Sequence, residues 1–426
     1  MRIRINGELF IILSMYLLLI YLCLPISMTY LNSVLIRMLV FVSAFSFVAG
    51  MVMLNKWKYL FVFSGMFIFT FLFWVITWSV QLDTITYVYY CFSSLTFVFG
   101  GIVLYYSDNE AMLKRMFIFL TVIYFITAIT TILGLNIYPL AARELARGST
   151  YDTSLDFTTR KNIYRSMNIA SWSQIYGMLF AIPTSLFVWK KRRHIIYLIL
   201  CIALGIMMIA SQITFAVLLA LLLIVGVIIS CENNTKTILI SFLVAIVAIL
   251  LLFNLEGVMS FSVTVSDNAG LDFLSTKLND IKTLLLYRSV VGNAGARGDL
   301  YTRSFGTFLN SPIVGLLLGG KGNLNNIGYH SDFFDMLGTF GLVGLVVIVS
   351  SLVSFHKFLK RTASENRREM IIIFFGFTIL FVLNPIFNSP QIFVGAFLYP
   401  ILGSRYCLMT ETEKKKEARI VRHKIS

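Results

Sequence analysis

The sequence predicts an all-α, polytopic transmembrane bundle of about twelve spans, with two long extracytoplasmic loops, 135–169 and 255–333, that contain short helices. Three observations carry this expectation. The 426-residue chain is 58% hydrophobic and 13% charged, with a mean hydropathy of +0.84, whereas roughly a quarter of residues are charged in soluble domains. Its apolar runs are long enough to cross a bilayer, for which about 20 helical residues suffice. Its basic residues collect in short connections that alternate with tiny hairpins and the two long loops. That much apolar surface needs lipid, so the net charge of +15 is read by its placement and not as a nucleic-acid footprint.

In chain order, spans are expected near 9–25, 34–54, 59–79, 85–106, 116–134, 170–189, 195–210, 213–230, 237–254, 334–355, 370–386 and 391–409. Helices are the default because every backbone amide in hydrocarbon must be bonded within its own segment. Only Ser211-Gln212 separates the seventh span from the eighth. Residues 1–410 then form one integral-membrane domain, and 411–426 a basic tail.

Orientation follows from the short basic connections. These hold Arg2, Arg4, Lys56, Lys58, Lys114, Arg115, the run KKRRH at 190–194, Lys236, the segment 356–369 and the tail. That side is expected to be cytoplasmic, with both termini on it. The charged start MRIRINGELF lacks a small-residue cleavage site after its apolar stretch and reads as an uncleaved first helix. The five cysteines, Cys23, Cys91, Cys201, Cys231 and Cys407, all lie outside the long loops. No disulfide scaffold or cysteine metal site is therefore expected there.

Ionisable residues are scarce at mid-membrane depth, which argues against an ion-coupled transporter. Polar chemistry concentrates in the two outer loops. Of the four histidines, His194, His356 and His423 fall in basic cytoplasmic stretches, and His330 alone is outside, just before the tenth span. A lone histidine is often structural, but an imidazole titrates close to neutrality and suits a general base. Arg160, Lys161 and Arg165 precede the sixth span; His330, Ser331 and Asp332 precede the tenth. Helix starts present free amides and a positive dipole end, so these two starts, with Arg165, Arg297 and His330 converging, are expected to form one anion-accepting pocket at the membrane surface. The outer loops also hold Arg143, Arg147, Lys277, Lys282, Arg288, Arg297, Arg303 and Lys321. Their plain reading is contact with lipid headgroups; the functional one is pyrophosphate recognition, for which guanidinium is well shaped.

Two other patterns bear on the loops. Gly315 to Lys321 imitates a phosphate-binding loop, but Gly322 follows where Ser or Thr is required, and no strand precedes it. Leu271, Leu274, Leu278, Ile281 and Leu285 recur at helical spacing, with Lys277, Asp280 and Lys282 elsewhere around the helix. A helix lying on the membrane surface is expected, roofing a pocket or merely packed on the spans.

The segment from Arg297 to Gly344 reads RGDLYTRSFGTFLNSPIVGLLLGG, a Gly- and Asn-rich turn, then YHSDFFDMLGTFGLVGL. It resembles a region shared by bacterial O-antigen and capsule repeat-unit polymerases, the Wzy type, and by O-antigen ligases. The matching positions are Arg297, Tyr301 (where the family more often has Trp), Pro312, Gly315, His330, Ser331, Gly341 and Gly344. The stretch RSMNIASW from Arg165 is loosely similar to the family's first long outer loop. The family's Ser-Arg pair between two closely joined spans is here Ser211-Gln212. The missing Arg shifts weight to Arg160, Arg165 and Arg297.

The resemblance implies a glycosyltransferase of the bacterial cytoplasmic membrane that joins polyprenyl-pyrophosphate-linked oligosaccharide repeats on the outer face. His330 would be the general base, with Asp332 as alternative. Arg160, Arg165, Arg297, Arg303 and Tyr301 would hold pyrophosphate and glycan. No cofactor, metal or nucleotide is implied, because the leaving group carries the driving energy. Asp332 and Asp335 are read as first-turn acids complementing a helix dipole. Membrane lipids and a chain-length regulator are the further partners expected, and nucleic acid is not. The competing readings are a ligase transferring the glycan to lipid A–core and a flippase of such lipids.

Overall fold

The computed structural model describes residues 7–27, 42, 45–56, 109–147, 156–230, 255–287, 292–318, 326–362, 366–386 and 389–408. Every regular element among them is helical, and the described residues contain no strand. The spans expected near 59–79, 85–106 and 237–254, and the tail 411–426, lie outside the described residues.

Helix α1 covers Gly7–Cys23, α2 Glu110–Ile137, α3 Ala141–Arg147, α4 Phe157–Ser166, α5 Trp172–Arg192, α6 Ile195–Ala210 and α7 Thr214–Ser230. After them come α8 Leu255–Asn268, α9 Asp272–Tyr287, α10 Gly292–Asn310, a 3-10 turn at Gly315–Leu318, α11 Asp332–Thr362 and α12 Arg367–Leu383. The last helix, α13, runs over 390–408 and is π-helical at Val394–Leu398. Local sequence sets many of these ends. Asn109 caps α2 by accepting from the Met112 amide at 3.1 Å, and Pro139 follows soon after its last turn. Gln212 adopts φ 53, and that single left-handed residue turns α6 into α7. The expected separation at Ser211-Gln212 is therefore present.

The described core is apolar, and apolar side chains also cover exposed helix faces. On α2, Ile118, Val122, Ile126, Ile129, Leu133 and Ile137 are exposed; on α6, so are Ile195, Ile199, Ile202, Ile206 and Ile209. Spacings of three and four put each series on one helix face. The buried side carries small hydroxyls. Thr121, Ser185 and Tyr399 meet there, with the Tyr399 hydroxyl 3.1 Å from Thr121 Oγ1 and 3.3 Å from Ser185 Oγ. Apolar faces of this length are costly in water, at about 25 cal/mol per Å², and cost nothing in hydrocarbon. Among the described residues one helix, Ala111–Ile137, is both long and apolar enough to cross a membrane; Gly7–Cys23, Ile195–Ala210 and Thr214–Ser230 are apolar but shorter. The described helices thus support an all-helical bundle with a membrane-span candidate, and do not establish the full count of twelve.

The helices alternate so that the bundle has two chemically different ends. At one end Arg192 donates to the Tyr406 carbonyl and stacks its guanidinium 4.2 Å from the Tyr406 ring centroid. Phe117, one turn after Lys114 and Arg115, lies 5.1 Å from that same ring. Asn366, beside Arg367 and Arg368, donates to Ser404 Oγ at 2.8 Å. At the other end Thr127 donates to the Cys23 carbonyl at 3.2 Å and Asn168 accepts from the Ile26 amide at 3.0 Å. Arg192 and the residues beside Lys114, Arg115 and Arg367 therefore lie at one end of the described bundle.

Two glycines permit the closest crossing. Gly177 of α5 and Gly395 of α13 meet backbone to backbone, and a Cβ on Gly177 would lie 2.5 Å from the Gln391 carbonyl oxygen. Only a residue without a side chain fits there. In the second long loop, α8 and α9 form a helical hairpin, with Leu274 buried and Lys282 Nζ donating to Ser260 Oγ at 2.8 Å. The helix expected over 271–285 is present, packed on α8.

Candidate functional site

Tyr301, His330 and Ser331, three residues of the resemblance, lie at the start of α11. The turn before it is held by Asp335, whose carboxylate accepts from Ser304 Oγ at 2.6 Å, the Tyr329 amide at 3.1 Å and the Ser331 amide at 3.0 Å. Ser304 Oγ in turn accepts from the Gly328 amide at 2.8 Å. Tyr329 can then take φ 57, which presents His330 outward. His330 Nδ1 lies 3.0 Å from the Tyr329 carbonyl oxygen. A proton on Nδ1 satisfies that contact, leaving Nε2 with its lone pair as the basic atom.

Ser331 and Asp332 face inward. Ser331 Oγ donates to the Val382 carbonyl at 2.5 Å and accepts from the Phe334 amide at 3.2 Å. Asp332 is buried; its carboxylate accepts from the Ile386 amide, and its own amide donates to the Asn384 carbonyl at 3.3 Å. Tyr301 hydroxyl donates to the Leu383 carbonyl at 3.0 Å, and its ring stacks on Phe334 at 5.4 Å. Three separate segments, α10, the start of α11 and the end of α12, are thus tied together by these side chains.

The glycines of the motif have a physical role. Gly341 has φ 61 and ψ −151, so α11 breaks there. The Leu342 and Val343 amides freed by the break donate to the Pro312 and Ile313 carbonyls at 2.8 and 3.2 Å. Gly315, at φ 57, sits against the backbone of Gly338 and Thr339. Pro312, Gly315 and Gly341 therefore form one backbone-to-backbone joint between the 3-10 turn and α11.

A second cluster lies in the first loop. Glu144 of α3, 1% exposed, accepts from Tyr164 hydroxyl at 2.6 Å and from Arg160 Nη1 at 3.3 Å. Burial and the hydrogen bond to Glu144 push the Tyr164 phenol up to about 12, so it stays a donor. A cavity of about 380 Å³ opens here, with Tyr138, Pro139, Leu140, Glu144, Arg160 and Tyr164 on its walls. Nearby, Arg143 Nη1 donates to the Gln212 carbonyl at 2.9 Å. A guanidinium from the first loop therefore stands at the turn where the sequence lacks the family's Arg.

The expected site residues are distributed between these clusters. Arg160 is in the second, paired with Glu144. Arg165 is half-buried in the last turn of α4, close enough to Lys161 that, after burial, it helps hold that ammonium below its usual range. Arg303 is exposed on α10. Arg297 falls within α10, and its side chain lies outside the described residues. His330, Asp332 and Tyr301 are in the first cluster. The cavity borders the first-loop cluster alone, and the described contacts do not gather Arg165 and His330 around one common space. Both clusters nevertheless occupy the end opposite the basic connections. Asn168 anchors the turn after α4 to α2, and α13 starts from the 384–386 turn that Asp332 holds before it crosses α5 at Gly177.

One expectation is modified by the geometry. Both helix starts were expected to offer amides to a phosphate, yet the protein's own side chains take amides at each. Gln174 reaches back to the Ser171 amide at 2.9 Å before α5, and Ser331 and Asp335 do the same work before α11. Glu144, Tyr164 and Ser304 were not foreseen; the one available signal was Glu144 itself, a lone acid within the loop stretch ARELAR. In comparisons with known proteins, no family model matches this chain and no curated sequence matches it.

Proposed function

We propose that this chain is a cytoplasmic-membrane glycosyltransferase that polymerises polyprenyl-pyrophosphate-linked oligosaccharide repeats on the outer face of the membrane. The end carrying His330 and the first-loop cluster faces outward on this reading, and the end carrying Lys114, Arg192 and Arg367 faces the cytoplasm, as the placement of basic residues favours. The observation that carries the proposal is the assembly at the start of α11. Tyr301, Ser331 and Asp332 tie α10 and the end of α12 to the turn that carries one histidine, whose Nδ1 contact with the Tyr329 carbonyl leaves Nε2 as its basic atom.

In the reaction, an acceptor sugar hydroxyl attacks the anomeric carbon of the growing glycan. A new glycosidic C–O bond forms and the bond to the polyprenyl pyrophosphate breaks. The hydroxyl proton passes to His330 Nε2, and the electron pair leaves with the pyrophosphate. Guanidinium groups of Arg297 and Arg303, on the helix that Tyr301 ties to the end of α12, would stabilise the charge that develops on the leaving group, the kind of preorganised electrostatics that outperforms water. Asp332, buried against the 384–386 turn, we assign to positioning rather than proton transfer.

The test is polymer length in cells and with purified lipid-linked repeats. Loss of a general base costs roughly 10²–10⁴ in rate, so His330→Ala should reduce ladders to single repeats while the protein remains in the membrane. Undiminished ladders would overturn the proposal. Transfer occurring only to lipid A–core would instead make the chain a ligase.

A further inference from the structure

We propose that the seam between α2 and α6 holds an anionic phospholipid at the basic end of the bundle, its phosphate on Lys114, Arg115, Lys191 and Arg193 and an acyl chain along the isoleucine faces beneath them. The site needs only that these helices stand in a bilayer, and it is independent of the glycosyltransferase reading.

The cations reach one place from two distant parts of the chain. Lys114 and Arg115 lie near the start of α2, and Lys191, Arg193 and His194 in the turn that joins α5 to α6. Helices α2 and α6 both start at this end and pack on each other. Phe117 stacks on Tyr197 with ring centroids 5.7 Å apart, and Lys114 and His194 each stand three residues before one of these rings, on the same helix side as it. Arg193 adopts φ 60, which makes the α5–α6 turn sharp. Its guanidinium lies 5.7 Å from the Trp189 ring centroid, and Trp is the side chain that favours headgroup depth in a bilayer. Arg192 is taken, since it donates to the Tyr406 carbonyl and stacks on that ring. Lys114, Arg115, Lys191 and Arg193 are exposed, and among the described residues none of them is in an ion pair. Like charges gathered in this way repel one another, and a phosphate relieves the repulsion.

What lies beneath the charges decides the partner. Ile118 and Val122 follow Arg115 along α2, and Ile195, Ile199 and Ile202 follow His194 along α6, all of them exposed. At about 1.5 Å per residue, the first apolar side chain on each helix lies within about 5 Å of the last charge along the axis. That is the order in which a phospholipid presents its phosphate and then its hydrocarbon. Branched side chains are stiff, so the two rows form a fixed wall along which an acyl chain makes continuous dispersion contact. An acidic protein or a free phosphate would satisfy the cations and leave this wall bare.

The experiment uses the full-length protein in nanodiscs of neutral phosphatidylcholine, with phosphatidylglycerol carrying a diazirine in one acyl chain as the probe. Labelled peptides are read by mass spectrometry after irradiation, so the site is located as well as titrated. Saturable labelling of peptides within 117–133 and 195–209 is expected, competed by unlabelled phosphatidylglycerol and not by added phosphatidylcholine or inorganic phosphate. Half-saturation should weaken about 25-fold in Lys114→Gln/Arg115→Gln and in Lys191→Gln/Arg193→Gln, at roughly fivefold for each cation removed near a membrane surface. Arg367→Gln/Arg368→Gln is the control: it removes two exposed cations at the same end, on α12, which packs on α7 and α11, and labelling of α2 and α6 should not change. Ile202→Trp keeps every cation and obstructs the seam, and should weaken half-saturation by roughly fivefold through lost acyl contact. Thermal midpoints are measured for each variant. Equal competition by phosphatidylcholine, displacement by inorganic phosphate, unchanged half-saturation in both α2 and α5–α6 variants, or an equal loss in the α12 control would overturn the proposal.

Discussion

Replacing Gly341 by alanine should destabilise the protein strongly. Its φ of 61 and ψ of −151 lie in a region that is essentially reserved for glycine, and holding another residue there costs about 1–3 kcal/mol. Sterics add to this, because the new Cβ would stand 2.5 Å from the Ile313 oxygen and 2.7 Å from the Pro312 oxygen. Relief requires the 3-10 turn to move away, which breaks the bonds from the Leu342 and Val343 amides, each contributing about 1 kcal/mol. The total is about 3–5 kcal/mol, a large share of the roughly 5–15 kcal/mol that keeps a typical domain folded. Gly306 provides the control. It lies inside α10, and a Cβ added there would meet no atom within 4 Å, so Gly306→Ala should stabilise by about 0.5–1 kcal/mol through helix propensity. Thermal unfolding in detergent can be followed with a thiol-reactive dye, since Cys23 and Cys407 are buried. Equal midpoints for the two variants, or a Gly341→Ala protein as stable as the parent, would refute this account of the joint.

Asp335→Ala removes the acceptor for Ser304, Tyr329 and Ser331 together; a cost of about 2–4 kcal/mol is expected, with ladder formation reduced toward the level of His330→Ala, read by the same melting and polymer assays. Asp335→Asn should be milder on both counts, because its amide oxygen still accepts. For pH, Asp156 is held below its ordinary value of 3.8, chiefly by the Thr159 hydroxyl and amide. A depressed carboxyl stabilises the fold above its unfolded value, and that contribution is lost as pH falls through the lower folded value. Hydrogen exchange at Thr158 and Thr159 should therefore accelerate only below the usual carboxylate range, and Asp156→Ala should exchange fast at every pH.

Much of the architecture was legible because periodicity and charge report local physics. The Ser211-Gln212 break and the helix at 271–285 both follow from spacing and turn chemistry. Hydropathy says less about α5 and α13, whose buried faces answer to neighbours and not to lipid; Gly177 against Gly395 is visible only once the helices are crossed. The site was half readable. His330 and Tyr301 stood out by type and position, whereas Asp335 looked like an ordinary first-turn acid and proves to organise the turn before it. Arg160 shows the limit most clearly. A sequence gives its charge, but the partner that cancels it lies sixteen residues earlier on another helix, and no local pattern encodes that meeting.

The break at Gly341 also separates two kinds of evolutionary freedom. Because the joint to Pro312 and Ile313 is made by main-chain atoms, side chains on the histidine-bearing side can change without altering how the remainder of α11 seats in the bundle. The same stretch is also seated on the end of α12 through Tyr301, Ser331 and Asp332, so its two anchorages have to be kept together. Chimeras exchanged at this glycine should keep the recipient's thermal midpoint only where residues 382–386 are exchanged together with the segment that they hold.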